Sequence, residues 1–214
     1  MMKINFKLAL ALLMLPMMAM AQEKTADEFK NEGNALVKEK KFKEALASYQ
    51  QAITLWGDSV DAATVYNAGD CARRIEDFET SNNLYQQSID LGYKKADFAT
   101  YYIAENYGKM KLADERLAQL EKAHGIVKDP KVVSIVKKAL TKEYAKKANA
   151  QIVDGNKILG EIQASTKPEQ RTAIEARAKE VFQAAKEWND KALAVDPNSE
   201  DAKKIGEIID SQLK

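Results

Sequence analysis

From residue 26 onward the apolar positions follow helical spacing, and over the first hundred residues they also recur as a block. Residues 26–59 (ADEFKNEGNALVKEKKFKEALASYQQAITLWGDS) and 62–95 (AATVYNAGDCARRIEDFETSNNLYQQSIDLGYKK) align at a shift of 36. Gly33 then falls on Gly69, Phe42 on Phe78, Tyr49 on Tyr85 and Ile53 on Ile89, while Ala45 and Ala52 meet Ser81 and Ser88. A third, more worn copy follows at a shift of 35, with Ala104 at the glycine position, Leu120 at the tyrosine position and Ala123 at the second small position. Each copy predicts two amphipathic helices joined by a short polar turn, such as Glu39-Lys40-Lys41 or Glu76-Asp77. One such pair cannot bury its apolar face alone, so the copies must stack around a shared core. Arg116 stands where the first copy has Ala45, so the third pair should open slightly or turn this residue outward.

Punctuation agrees with these boundaries. Thr25 followed by Glu28 reads as a capping box, and Gly92 after Leu91 reads as a left-handed helix stop. Asp129-Pro130 opens a new helix, with Asp as cap and Pro in the first turn. The pattern stays helical to about Ile162; Thr166-Lys167-Pro168-Glu169 then reads as another capping box, opening a helix that runs to about Val195. Ala185 and Ala192 there have the spacing of the two small positions, and Tyr144 and Ala148 supply the corresponding first half, but some 25 residues are extra. Either both helices lengthen into a hairpin reaching ~18 Å past the stack, at 1.5 Å per residue, or the chain breaks at Asp154-Gly155-Asn156. The long hairpin is the favoured reading. Ser199 should cap a last helix to about Leu213 that closes the stack.

The pattern resembles the tetratricopeptide repeat family. That family places an aromatic, a glycine, a small residue, an aromatic and a second small residue at fixed offsets, filled here by Phe29, Gly33, Ala45, Tyr49 and Ala52. Gly57 replaces the closing proline, and Val65 the first aromatic of the second unit. The resemblance implies an all-α, right-handed αα-superhelix of helix hairpins. Three repeats would span 22–128, an elongated hairpin ending as a fourth, insertion-bearing repeat 129–198, and a capping helix 199–214. It further implies that the first helix of each unit lines a concave, partner-binding face. Carried over, the partner-binding residues are Lys30 and Asn34; Tyr66, Asn67, Asp70 and Arg73; Phe98, Tyr101 and Glu105. Lys30, Asn34 and Asn67 also match half of the clamp with which co-chaperone members hold a terminal carboxylate, but Phe98 and Tyr102 stand where that clamp needs two cations.

Composition narrows the function. Residues 1–21 read as a cleaved signal peptide: Lys3 and Lys7, an apolar run from Leu8 to Met20, and Ala19-Met20-Ala21 before Gln22. Export to the periplasm or the exterior is expected, with cleavage after Ala21 and no later span of ~20 apolar residues. Losing the two leader lysines takes the formal charge from +1 to −1, which gives no general case for nucleic acid. Cys71 is unpaired and falls in an apolar stretch, so it reads as a small buried side chain. A single histidine, His124, and a single cysteine cannot assemble the usual zinc sites. No phosphate loop, calcium loop or nucleophile turn is present, and Gly155 and Gly160 stand isolated. The expectation is therefore a non-catalytic interaction scaffold without cofactor or metal, holding a protein or peptide partner. The alternative is a structural subunit that self-associates, with Trp56 and Trp188 as its anchors.

Overall fold

The computed structural model describes residues 23–214, so the expected leader lies outside the described residues. Nine α-helices follow one another there: α1 (Ala26–Lys38), α2 (Phe42–Trp56), α3 (Ala62–Arg74), α4 (Phe78–Asp90), α5 (Ala96–Lys109), α6 (Ala113–Ile126), α7 (Pro130–Gly160), α8 (Pro168–Val195) and α9 (Glu200–Leu213). No strand occurs among them. Consecutive helices pack as hairpins, and each hairpin packs on the next. The architecture is an all-α helical repeat superhelix.

The local reasons are chemical. Thr25 caps α1 in a complete box, its hydroxyl accepting from Glu28 N–H while Thr25 N–H donates to the Glu28 carboxylate at 2.7 Å. Asp61, Asp77, Asp129 and Ser199 cap α3, α4, α7 and α9 in the same sense. The box expected at Thr166 does not form: Lys167 is the N-cap of α8 without a side-chain bond, and Pro168, which has no N–H to satisfy, opens its first turn. The turns inside the first three hairpins share one device. Lys40, Glu76 and Lys111 each adopt φ near +60°, and these positions are separated by the repeat shifts of 36 and 35. The following N–H groups reach back to Leu36, Ala72 and Tyr107 carbonyls at 2.9–3.0 Å, closing the helix ends as Schellman motifs. Gly92, at φ 71°, closes α4 the same way.

Each hairpin is set by a small residue beneath a ring. A Cβ added at Gly33 would sit 2.6 Å from the Tyr49 ring, and one at Gly69 3.0 Å from Tyr85. Ala104 and Leu120, both fully buried, fill the corresponding places in the third pair. Arg116 does not turn outward. Its guanidinium lies across Gly108, which has no side chain to block it, and pairs with Glu105 and Glu143 at 3.0 Å each.

The chain does not break at Asp154-Gly155-Asn156, and α7 continues through it as a single 31-residue helix. Gly155 is not an isolated glycine but a fourth crossing point, where a Cβ would meet Phe182 at 2.6 Å. Ala178, Phe182 and Ala185 repeat the offsets of Ala45, Tyr49 and Ala52. One heptad nearer the repeats, Ala148, Asn189 and Ala192 are buried too, so the hairpin carries two crossing levels where sequence spacing suggested one. The hairpin does not project bare. Ile205 and Ile209 of α9 join Ile152 and Phe182 in one cluster, and Lys186 bonds Asp210 at 2.9 Å.

Two substitutions test this account by urea denaturation. Gly155→Val should cost about 2 kcal/mol by overpacking against the enclosed Phe182 ring, whereas Gly160→Ala, whose Cβ would meet nothing within 4 Å, should not destabilise. Glu76→Gly should instead stabilise by about 1 kcal/mol, because glycine removes the left-handed penalty at φ 63°.

Candidate functional site

Two clefts border the odd-numbered helices of the three repeats. The first, about 370 Å³, separates α1 from α3 and is lined by Asn34, Val37, Lys38, Asn67, Asp70 and Cys71, with Tyr49 of α2. The second, about 430 Å³, separates α3 from α5 and is lined by Arg73, Arg74, Tyr101, Tyr102, Glu105 and Lys109, among others. Six of the nine residues expected to face a partner therefore border these two clefts: Asn34, Asn67, Asp70, Arg73, Tyr101 and Glu105.

The other three are engaged elsewhere. Lys30 pairs with Asp61 at 3.0 Å and lies 5.5 Å from the Trp56 ring centroid, fastening α1 to the cap of α3. Tyr66 is only 8% exposed, because Tyr85 and the loop residue Tyr93 close over it at 5.3 and 5.0 Å between centroids. It belongs to the core rather than to the contact surface. Phe98 packs toward Val132 and Val136 of α7. Two of the three partial-clamp residues are likewise already spoken for, Lys30 by Asp61 and Asn34 by the Tyr49 hydroxyl, which donates to it at 2.9 Å, while Asn67 borders the first cleft.

Asp70 organises the junction of the two clefts. Its carboxylate receives Arg73 and Arg74, each at 2.7 Å. Burial would raise its pKa, but hydrogen bonds from Arg74 and Arg73 outweigh burial and hold it below the usual carboxylate range. Arg73 in turn stacks 4.7 Å from the Tyr102 ring centroid. Burial first, and Glu105 second, push the Tyr101 phenol up to about 12; burial pushes Tyr49 up to about 12. Cys71 is 1% exposed, and burial raises its thiol to about 11, as its apolar setting in the sequence led one to expect.

Sequence reasoning missed Tyr102 as a contributor, since it looked only like a failed clamp position; its sole signal was an aromatic one residue from Tyr101. It also passed over lysines of α7 that border the later clefts, although their four-residue spacing was visible. Trp188 packs on Tyr144 with centroids 5.9 Å apart, joining the two clusters of the hairpin, and Trp56 is half-buried at the Lys30 contact. His124 sits exposed in the last turn of α6, where a helix dipole favours it. Among the described residues, no group of three or more His, Cys, Asp or Glu side chains could hold a metal ion, and no helix is long and apolar enough to cross a membrane.

Two measurements probe the site. Asp70→Asn should destabilise by about 1–3 kcal/mol near neutral pH. Because the folded carboxyl titrates below its unfolded value, the difference from wild type should hold above about pH 4 and shrink as pH falls further. The Cys71 thiol should stay unreactive toward a soluble disulfide reagent at mild alkaline pH until the protein is denatured.

Among solved structures, a tetratricopeptide repeat protein from Bacteroides fragilis superposes with a TM-score of 0.58 at 20% identity, covering 87% of this chain and 98% of its own. A Bacteroides ovatus protein follows at a TM-score of 0.49 and 14% identity, covering 89% and 100%. The tetratricopeptide TPR2AB domain of yeast Sti1, solved as a complex with pHSP90, gives 0.44 at 21% identity, covering 83% and 80%. No family model matches the sequence, and no curated protein does. The fold is that of the tetratricopeptide repeat proteins.

Proposed function

We propose that this chain is an exported, non-catalytic scaffold that holds a polypeptide partner in the groove between α1, α3 and α5. The observation that carries the reading is the pair of adjoining clefts hinged on Asp70. They combine fixed cations, carboxylates and the Tyr101–Tyr102 face within one run, which suits the backbone and mixed side chains of an extended peptide. The rings offer large contact area at small entropic cost, and Arg73 is held in place by its own partners. The leader pattern of residues 1–21 supports delivery of the scaffold to the periplasm or the exterior. Self-stacking is the less favoured reading, because Trp188 is committed to internal packing and Trp56 to Lys30.

A photo-crosslinking residue placed at Tyr101 in intact cells should capture one or a few discrete proteins. The same residue at Gln51, exposed on α2 away from the clefts, should capture none of them. Equal capture at both positions, or none at Tyr101, would overturn the groove assignment. Mass spectrometry of the exported protein should show a mature chain beginning at Gln22; a full-length cytoplasmic form beginning at Met1 would overturn export.

A further inference from the structure

We infer that the groove between α7 and α9 is a second docking site, selective for an extended polypeptide segment with acidic residues at alternate positions. This rests on the reading of the chain as a polypeptide-binding scaffold, and it names a partner chemistry for a part of the molecule outside the three N-terminal repeats.

The groove is a pair of continuous clefts. One, about 550 Å³, lies between α7 and the start of α9 and is bordered by Ser134, Lys137, Lys138, Thr141, Asp196 and Ser199. Through Lys142, Ala145 and Asp201, which line both, it passes into a second of about 350 Å³ bordered by Lys146, Asn149, Lys204 and Ile205. Its floor is apolar: Ala145 and Ile205 are 8% and 6% exposed. Five lysines and two acids line the pair of clefts, in a chain whose overall formal charge is only +1.

These lysines are arranged in a way that helix stability does not favour. Lys138, Lys142 and Lys146 follow one another at four-residue intervals, which places them about 6 Å apart in a single stripe on α7. Like charges at that spacing repel and weaken a helix. The available acids neutralise only part of this charge: Lys146 has Glu143 at 2.9 Å, and Asp201, which lines both clefts, pairs with none of Lys138, Lys142 and Lys204. Asp196 goes to Lys137 at 3.3 Å, and Glu143 is shared between Lys146 and the largely buried Arg116. Lys138, Lys142 and Lys204 form no ion pair among the described residues. Elsewhere on α7 the chain does supply partners, as where Lys147 meets Asp114.

The spacing identifies the occupant. An extended strand repeats its side chains on one face every second residue, about 6.6 Å apart, close to the rise between successive lysines of the stripe. A strand lying along α7 could set acids against the unpaired Lys138 and Lys142, with Lys204 facing it from α9, while its backbone covered Ala145 and Ile205. No aromatic side chain borders either cleft, so the groove lacks the stacking platform on which single-stranded nucleic acid depends.

The test is fluorescence anisotropy of the purified protein with a labelled ten-residue peptide of alternating Glu and Thr, and with its Gln-Thr counterpart. The acidic peptide should bind, more weakly as salt rises, and the neutral one should not. The triple variant Lys138→Gln, Lys142→Gln, Lys204→Gln should bind it about tenfold more weakly with an unchanged helical circular dichroism spectrum, and Lys147→Gln should bind normally. Equal binding to the triple variant, or equal binding of the neutral peptide, would overturn the inference. So would inorganic polyphosphate or oligothymidine binding as tightly, since the groove would then be a general polyanion surface. Capture of a protein through Tyr101 without binding of the acidic peptide would sink this inference alone, whereas failure of both would sink the scaffold reading with it.

Discussion

Everything in this fold hangs on the approach of two helices at a residue with little or no side chain. Gly33 beneath Tyr49, Gly69 beneath Tyr85 and Gly155 beneath Phe182 are contacts in which even a methyl group would intrude on the ring. The distance between paired helices follows from these contacts. So does the way Ala45, Ala52, Ser81 and Ser88 are sealed from water, and the alignment of α1, α3 and α5 along one side. The clefts that make up the candidate site are the spaces left where those helices stand apart. They are a by-product of packing density at the crossing points rather than of any dedicated loop.

Polar groups then decide how the hairpins join. Lys30 with Asp61 links the first to the second. Asn106, 1% exposed, donates to Ser81 and Asn82 at 3.0 and 2.8 Å and links the second to the third. Asp97 accepts two backbone N–H groups at the start of α7, and Arg116 brings Glu105 and Glu143 together across the same joint. The joint between the repeats and the long hairpin thus rests largely on charged groups, whereas Gly33, Gly69 and Gly155 meet the faces of aromatic rings.

The first three hairpins were legible because a repeat supplies its own control: Phe42, Tyr49 and Ile53 could each be checked against Phe78, Tyr85 and Ile89. The fourth was harder, since its insertion displaces Gly155 from Phe182 by 27 residues instead of the 16 that separate Gly33 from Tyr49, and Asp154 and Asn156 give the glycine the look of a turn. Both neighbours point to water, where a helix tolerates them. Arg116 could be flagged as foreign to a small position, but that Gly108 would receive it is a matter of three dimensions. Tyr66 fell the other way. A rule for groove-facing positions places it outward, but Tyr85 and Tyr93 cover it, and Tyr93 stands where the first copy has only Gly57.

The unbroken α7 has a consequence for how the molecule comes apart. It touches α5 and α6 behind it and α8 and α9 ahead, so no fragment of the C-terminal third can loosen without disturbing the rest. The N-terminal hairpins meet only their immediate neighbours, the condition under which a solenoid frays one unit at a time. Backbone amide exchange would accordingly be graded from α1 inward and then nearly uniform from Pro130 to Leu213, a single cooperative block joined to a chain of smaller ones.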